Sequence, residues 1–324
     1  MATSRSWRQP QPMSGPFRAR LEEIAELNQV FSDAFTERYR RDGMVGVRVP
    51  FLNPAVWRYA IEDAAAGAML WRDERGHISA FNMVHRSGTE GWMGPLAVRT
   101  EYQGTGSGKE IVVRGVEWLK QSGATVIGLE TMPRTMDNIG FYSRLGFTPG
   151  RLTITATLDA VLSTEPVQLL GRRTASEKEE LLEECRDLLG RVLPGYDYTR
   201  EIVLTDELSL GDTVLLREGG RLVGFALCHT VPLVEGRARE ELRALKLVTE
   251  REDLFDSMAH ALCDLARRSG TRRVAFRVQG EYLSAYHRLI TLGARVRWTD
   301  LRMSYSEHDE RRPDSGLVWS NWEI

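Results

Sequence analysis

The feature that most constrains the fold of this 324-residue sequence is an order of predicted elements that occurs twice. The segment LKQSGATVIGL at residues 119–129 is similar to LARRSGTRRVAF at 265–276, and FYSRLGF at 141–147 is similar to AYHRLITLGA at 285–294. Such self-similarity indicates an internal duplication with a period of roughly half the chain. Because domains usually contain about 100–150 residues, the length also predicts two of them.

The pattern loosens near residue 160, in the segment DAVLSTEPV, and we place the domain boundary there. We therefore expect a disordered lead-in over residues 1–16, a first domain over 17–160 and a second domain over 161–324. The lead-in contains arginines but no apolar core segment, so it does not read as a secretory signal.

Each half alternates helical and strand-like segments. Apolar residues recur at helical spacing from Leu21 to Tyr39, and Asn53 followed by Pro54 is typical of the start of a second helix. Two strand-like runs joined by Asp-Glu-Arg-Gly indicate a hairpin, and the same order returns beyond residue 160. These patterns predict an α/β fold of mixed α+β type, with helices flanking a sheet in each half.

Composition narrows the class of partner. The hydrophobic fraction is 42%, the charged fraction is 27% and the net charge is -2, which gives no electrostatic reason to expect a nucleic acid or a membrane surface. No run approaches the roughly 20 apolar residues that cross a bilayer. The three cysteines are scattered and the six histidines form no metal-like pair, so we expect a cytoplasmic protein without a metal.

The segment QGTGSGKE at residues 103–110 contains three glycines, a lysine and two hydroxyls between a predicted strand and a predicted helix. It is not a nucleotide-triphosphate P-loop, because Gln103 replaces the first glycine and Glu110 replaces the hydroxyl that binds magnesium. A nucleophile elbow fails as well, since Thr105 and Lys109 flank Ser107 where glycines are required.

A glycine-rich turn into a helix has another use. Successive backbone amides at a helix N-terminus form an anion-binding concavity, and the helix dipole adds partial positive charge. A diphosphate suits such a site, and Lys109 and Thr105 would add a charge and a hydroxyl. The alternative is an ordinary tight turn between a strand and a helix.

The segment LAVRTEYQGTGSGKEIV resembles motif A of the GCN5-related N-acetyltransferase (GNAT) superfamily, with Gln103, Gly106 and Gly108 at the motif positions. NIGFYSRLGF is similar to the motif B that follows in that family. The resemblance implies two GNAT-like domains in tandem, each a mixed, mostly antiparallel sheet flanked by helices. It also implies an acetyl-CoA-dependent N-acetyltransferase that transfers an acetyl group to a primary amine of a small molecule by direct attack.

The same resemblance assigns residues to the cofactor. Strand residues would offer backbone groups to the pantetheine arm, and they are Leu96, Ala97 and Val98. The loop would hold the pyrophosphate through Gln103, Gly104, Thr105, Gly106, Ser107, Gly108 and Lys109. The family often has an asparagine facing the cofactor where this chain has Thr135, and Asn138, one helical turn later, is the substitute candidate.

Catalytic candidates follow from the chemistry of aminolysis, which needs an acid for the departing thiolate and a base for the amine. Tyr142 matches a tyrosine that family members place near the thioester sulfur, and the alternative is a packing role. Glu130 is the first candidate for the base, at the end of a strand. Glu90 and His85 are weaker candidates, because strand-end carboxylates and lone histidines are usually structural.

The second half lacks the loop. Around residues 248–257 the glycines are replaced by Glu250, Glu252, Asp253 and Asp256, which stabilise a helix start but repel a diphosphate. We therefore expect that only the first half binds CoA and that the second half is a degenerate partner that shapes the acceptor site. Tyr286 echoes Tyr142 and is expected to be structural.

Three functions stay open at this point: transfer to a small amine, acyl transfer to a carrier-protein thiol, and a non-enzymatic CoA-binding module. The basic segment ERYRRDGMVGVRVPFLNP at 37–54 suggests either an acceptor with an acidic group or a solvated turn. Trp57, Trp71 and Trp92 would line an apolar pocket or belong to the core. The acceptor, the length of the acyl group and the oligomeric state are not determined by the sequence.

Overall fold

The computed structural model describes residues 12–162 and 167–322. These residues form eight α-helices, α1 Ile24–Arg41, α2 Pro54–Ala64, α3 Ser107–Gln121, α4 Met136–Arg144, α5 Ala175–Val192, α6 Thr199–Glu207, α7 Phe255–Arg268 and α8 Leu283–Thr291. They also form thirteen strands, β1 Ser14–Arg18, β2 Ala68–Arg72, β3 Ile78–Ser87, β4 Glu90–Val98, β5 Val126–Thr131, β6 Phe147–Asp159, β7 Gln168–Leu169, β8 Gly211–Glu218, β9 Arg221–His229, β10 Glu241–Thr249, β11 Arg273–Gln279, β12 Arg295–Tyr305 and β13 Leu317–Ser320. The predicted mixed α/β fold is confirmed.

Local sequence signals place the elements of the first half where they were expected. The side chain of Asn53 accepts a hydrogen bond of 3.0 Å from the Ala55 amide, and Pro54 is the first residue of α2. Strands β2 and β3 form the predicted antiparallel hairpin. Helix α4 ends before Gly146, whose φ of 95° is the left-handed conformation that favours glycine at a helix end.

The disordered lead-in expected for residues 1–16 is wrong for residues 14–16. Ser14–Arg18 forms β1, an edge strand that pairs antiparallel with β2, with Phe17 opposite Leu70. All five side chains of β1 are exposed, so backbone hydrogen bonds hold the strand and its sequence carries no alternation of buried and exposed residues. Residues 1–11 lie outside the described part of the chain.

The two halves share one continuous sheet, because each contributes a strand to the other. Strand β12 from the second half pairs antiparallel with β5, and β6 from the first half pairs antiparallel with β11. The two exchanged strands, β6 and β12, also pair with each other along most of their length. The position near residue 160 is therefore a chain connection that follows β6, and the sheet does not end there.

The core is apolar, with a buried polar cluster between the halves. Trp57, Trp71 and Trp92 are buried core residues. Of the two roles considered from the sequence, a pocket lining or the core, the structure shows the core. In the polar cluster the ammonium of Lys246 lies 3.8 Å from the Glu90 carboxylate and donates a 2.7 Å hydrogen bond to Ser320. None of the helices in the described ranges is both long and apolar enough to cross a membrane.

Candidate active site

A gap opens in the sheet between β4 and β5. The two parallel strands pair from Glu90 opposite Val126 to Met93 opposite Leu129, and beyond these residues they diverge. Strand β4 continues to Val98 while pairing only with β3, and β5 continues to Thr131 while pairing only with β12. The divergence leaves a cavity of about 360 Å³ whose walls include residues of both strands and of both halves.

The cleft is lined by residues from nine parts of the chain. Its lining consists of Phe31, Phe35, Arg38, Tyr39, Val49, Pro50, Leu52, Met93, Gly94, Pro95, Leu96, Val112, Leu129, Glu130, Thr131, Met132, Asn138, Tyr142, Leu233, Val234, Trp298, Asp300 and Trp322. Of the residues predicted from the sequence, this brings together Leu96, Glu130, Asn138 and Tyr142. Ala97 and Val98 continue β4 beside the cavity and are themselves buried.

The loop that follows β4 presents a row of free backbone amides. Within the described part of the chain, the amides of residues 104–108 donate to no backbone or side-chain acceptor, and the next two amides, of Lys109 and Glu110, bond to the Gly106 carbonyl. Gly104 and Gly106 have φ values of 81° and 97°, which residues with a Cβ rarely adopt. These amides lie at the N-terminus of the 15-residue helix α3, where the helix dipole favours an anion.

Side chains fix the shape of this loop. Gln103 donates a 2.8 Å hydrogen bond to the Val98 carbonyl and accepts one of 2.9 Å from Arg41. The Thr105 hydroxyl donates to the Tyr102 carbonyl at 2.8 Å and lies 2.8 Å from the Ser107 hydroxyl. Thr105 therefore serves the loop itself, in contrast to the free donor expected from the sequence, whereas the side chain of Lys109 is exposed.

Tyr142 lies on α4 at the wall of the cleft. Its ring is held by Phe141 and Phe147, with centroid distances of 5.1 and 6.0 Å. Burial raises the pKa of its hydroxyl to about 12. No group in the described ranges forms a hydrogen bond with this hydroxyl, and Tyr142 is among the residues that line the cavity.

Glu130 lies at the cleft with both carboxylate oxygens engaged. It forms ion pairs with Arg277 and with Arg302, the latter at 3.1 Å, and it accepts a 2.5 Å hydrogen bond from Thr153. Burial alone would raise the pKa of Glu130, but the charges of Arg277 and Arg302 outweigh it and hold the pKa below its ordinary value. These contacts suit an anchor for two arginines and disfavour a general base.

The two weaker candidates for the base lie away from the cavity. Glu90 is fully buried and accepts hydrogen bonds of 2.8 Å from Trp322 and from Ser320. His85 is fully buried too, with its Nδ1 2.5 Å from an oxygen of Asp63 and its ring stacked on Trp92 at 4.0 Å. Neither residue lines the cleft, so the structural interpretation of both is favoured.

Sequence reasoning missed the part of the site that comes from the second half. Strand β12 brings Trp298 and Asp300 to the cleft of the first half, and Trp298 donates a 3.1 Å hydrogen bond from its indole to Asp300. Leu233, Val234 and Trp322 complete this wall. No local pattern marks these residues, because their role depends on which strand β12 pairs with.

The corresponding gap in the second half is filled. Strands β10 and β11 pair in parallel only from Glu241 opposite Arg273 to Arg243 opposite Ala275. Where they diverge, β13 pairs antiparallel with β10, and the Tyr282 hydroxyl donates a 3.0 Å hydrogen bond to the Val318 carbonyl of β13. The chain itself thus occupies the position that is open in the first half.

The loop with unpaired backbone amides has no counterpart there either. A 3₁₀ turn at Glu252–Leu254 leads directly into α7 at Phe255, whereas four residues, 103–106, separate the matching turn at Thr100–Tyr102 from α3. Two acidic residues at this helix start form ion pairs, Asp253 with Arg251 at 3.1 Å and Asp256 with Arg288. Helix α8 of the second half corresponds to α4 of the first. Tyr142 is the seventh residue of α4, and the seventh residue of α8 is the buried Leu289. Tyr286 is therefore not the positional match of Tyr142.

Comparisons with known proteins identify the fold. The structure is similar to that of a putative acetyltransferase from Pyrococcus horikoshii, with a TM-score of 0.65 and 16% identity over 99% of this chain and 98% of that one. A GCN5-related N-acetyltransferase from Sphaerobacter thermophilus has a TM-score of 0.57 and 14% identity over 95% and 99% of the two chains. A tandem GNAT protein from the clavulanic acid biosynthesis pathway has a TM-score of 0.58 and 10% identity over 93% and 100%. The chain therefore has a tandem GNAT fold.

A sequence comparison matches part of the chain to a protein family. Residues 25–147 match the acetyltransferase (GNAT) family, which confirms the resemblance first noted in the two motifs. No curated protein sequence matches the chain significantly. Within the described residues, no group of three or more His, Cys, Asp and Glu side chains is arranged to hold a metal ion.

Proposed function

We propose that residues 17–160 bind one acetyl-CoA and transfer its acetyl group to a primary amine of a small molecule, while residues 161–324 bind none and wall the acceptor side. One observation carries this proposal. The gap between β4 and β5 continues directly into a loop with five unpaired backbone amides at a helix N-terminus. Backbone groups that protein leaves unpaired are available to a ligand.

The binding mode follows from the shape of the cleft. The free edge of β4 at Leu96, Ala97 and Val98 can pair with the amides of a pantetheine arm, as an added strand would. The amides of residues 104–108 can then receive the diphosphate, with Lys109 as a flexible cation at the rim. Asn138 and Tyr142 lie at the wall of the same cleft. The residues present therefore fit the cofactor.

Acetyl-CoA would supply an activated thioester, and the chain would supply position and one proton. The acceptor amine enters as the neutral base and attacks the carbonyl carbon, so that a carbon–nitrogen bond forms and the carbon–sulfur bond breaks. The Tyr142 hydroxyl donates a proton to the departing sulfur and regains one from solvent, which receives the proton lost by the amine. Since Glu130 is neutralised by two arginines, we assign it the role of holding the wall of the cleft.

The restriction to one site rests on the second half. Strand β13 fills the gap between β10 and β11, and α7 starts without a loop of free amides. The three cysteines are free and buried, which suits a reducing compartment, and we place the activity in the cytoplasm.

The test is a thiol-release assay with acetyl-CoA over a panel of primary amines, run beside direct measurement of CoA binding. Release of CoA that depends on an amine, with one mole of acetylated amine formed for each mole of thiol, is the expected result. Binding of CoA without thiol release from any amine would leave a CoA-binding module and contradict the transferase.

A further inference from the structure

We infer, on the basis of the proposed function, that the acceptor is a small primary amine with an apolar, preferably aromatic body and no second charged group. The acceptor would occupy the part of the cleft beyond the cofactor edge of β4. Two properties of the walls restrict it: their side chains are mostly apolar, and their charged groups are already paired.

The walls are apolar and rich in aromatic rings. Helix α1 contributes Phe31 and Phe35, whose ring centroids lie 4.6 Å apart, and the exchanged strand β12 contributes Trp298. Leu52 forms an isolated bridge with Val234 of the second half, which closes the wall from the other side. Rings and branched aliphatic side chains in a concave site favour an apolar ligand over a hydrated one.

Each charged side chain on this lining has a partner of opposite charge. Arg38 pairs with Asp42 and, at 3.3 Å, with Asp137. Asp300 lies 3.2 Å from Arg277, which also pairs with Glu130. A carboxylate or a second ammonium on the acceptor would therefore enter the cleft without a counter-charge, which is unfavourable away from water.

The basic segment after α1 does not offer such a counter-charge either. Arg40 and Arg41 both bond to Glu37, each at 2.8 Å, and these contacts, led by the hydrogen bond from Arg40, lower the pKa of Glu37 to about 2. Arg41 also donates to Gln103 in the diphosphate loop. The acidic acceptor that the sequence suggested is therefore not favoured by the structure.

The size of the cleft limits the acceptor further. The cavity of about 360 Å³ lies at the small end of ligand sites, and it must also admit the thioester end of the cofactor. A single ring with a short aminoalkyl chain matches the space and the lining, whereas a large polycation or an oligosaccharide does not.

The test compares amines that differ by one charge. Steady-state kinetics with saturating acetyl-CoA are measured for 2-phenylethylamine, for L-phenylalanine, which adds a carboxylate to the same skeleton, and for putrescine, which has a charged aminoethyl group in place of the ring. We expect kcat/KM for 2-phenylethylamine to exceed the other two values by roughly 100-fold. Equal or higher kcat/KM for L-phenylalanine or putrescine overturns the inference and leaves the transferase intact.

A variant pair checks that the apolar wall is responsible. Val234→Asp places a charge on the lining, and Val45→Asp places the same charge at a position that is 81% exposed and off the lining. We expect Val234→Asp to lower kcat/KM for 2-phenylethylamine at least about 10-fold with unchanged affinity for CoA, and Val45→Asp to leave both unchanged. An unaffected Val234→Asp enzyme would contradict the inference. Failure of all three amines while another primary amine of the panel is acetylated would overturn this inference alone, and failure of every amine while CoA still binds would overturn the proposed function with it.

Discussion

The two halves of the chain contain the same divergence of parallel strands and resolve it in opposite ways. Between β4 and β5 the gap remains open, and between β10 and β11 it is filled by β13 from the C-terminal end of the described residues. Unpaired strand edges must be satisfied by protein, water or a ligand. The comparison shows that one backbone arrangement leaves a cleft where no strand fills it and forms core where the chain supplies its own strand.

The helix that follows each gap differs in the same sense. Helix α3 is preceded by a loop with unpaired amides, whereas α7 continues from a 3₁₀ turn whose acidic side chains are near the helix start. Carboxylates near a helix N-terminus interact favourably with its dipole, as a bound diphosphate would. The second half thus places its own negative charges at a helix start, and in our proposal the diphosphate of CoA supplies the negative charge at the matching position of the first half.

The largest expected effect is on stability, through Trp319 of β13. This side chain is 3% exposed and packs on Phe255 and Phe276, with ring centroids 5.2 and 6.3 Å away. We expect Trp319→Ala to lower the free energy of unfolding by about 3–5 kcal/mol, as for other large aromatic side chains removed from a core. Urea unfolding measures it.

The matched control for that variant is Leu96→Ala, on the cleft edge of β4. Leu96 is only half-buried, so without ligand its truncation should cost about 1 kcal/mol or less. A cost for Trp319→Ala as small as that for Leu96→Ala would show that β13 does not fill its gap.

The next effect is on turnover. Tyr142→Phe removes the hydroxyl of a residue that lines the cleft, and we expect kcat to fall about 100-fold, at the lower end of the usual range for a general acid. CoA affinity should change less than about twofold, because the ring is retained. Tyr286→Phe in the second half is the control and should leave kcat unchanged. A drop in kcat for both variants, or for neither, would contradict the different roles assigned to Tyr142 on α4 and Tyr286 on α8.

A smaller effect concerns affinity for the cofactor. Gly106→Val replaces a glycine with φ of 97°, which strains the loop and turns its amides, and we expect CoA affinity to fall roughly 10-fold or more. Gly270→Val is the control, because Gly270 follows α7 with φ of 76° and open space around it. Both variants should lose similar stability, and only the first should bind CoA more weakly. Isothermal titration of both variants distinguishes affinity from folding.

The smallest expected effect is the absence of a fall in rate at alkaline pH. Since burial raises the pKa of Tyr142 to about 12, its hydroxyl stays protonated between pH 8 and 10, where an ordinary tyrosine begins to ionise. The rate should therefore rise with pH as the acceptor amine loses its proton, and it should not decrease again at any pH up to 10. A descending limb with an apparent pKa near 9 would contradict this assignment for Tyr142.

Local sequence signals predict several elements of the fold and the glycine-rich loop, whereas the rest of the cleft depends on pairing between distant strands. The cap of α2, the glycine end of α4 and the loop at 103–109 each depend on residues close together in the sequence. The role of Glu130 cannot be read from nearby residues, because its partner Arg277 is 147 residues away. The sequence suggested a free carboxylate at a strand end, and the exchange of β6 and β12 placed two arginines beside it.

The exchanged strands also explain why the cleft residues from the second half were not predicted. Nothing in the sequence of β12 indicates that its neighbours are β5 and β6, because these pairings join strands that lie far apart in the chain. Likewise, β13 is four residues long and resembles many short apolar segments. Its position in the gap of the second half follows only from three-dimensional packing.

The most direct measurement is a crystal structure of the chain with CoA. We expect one molecule for each chain, lying between β4 and β5 with its diphosphate on the amides of residues 104–108. A CoA molecule beside β10, a second one in the other half, or a loop whose amides turn away from the diphosphate would contradict the central claim.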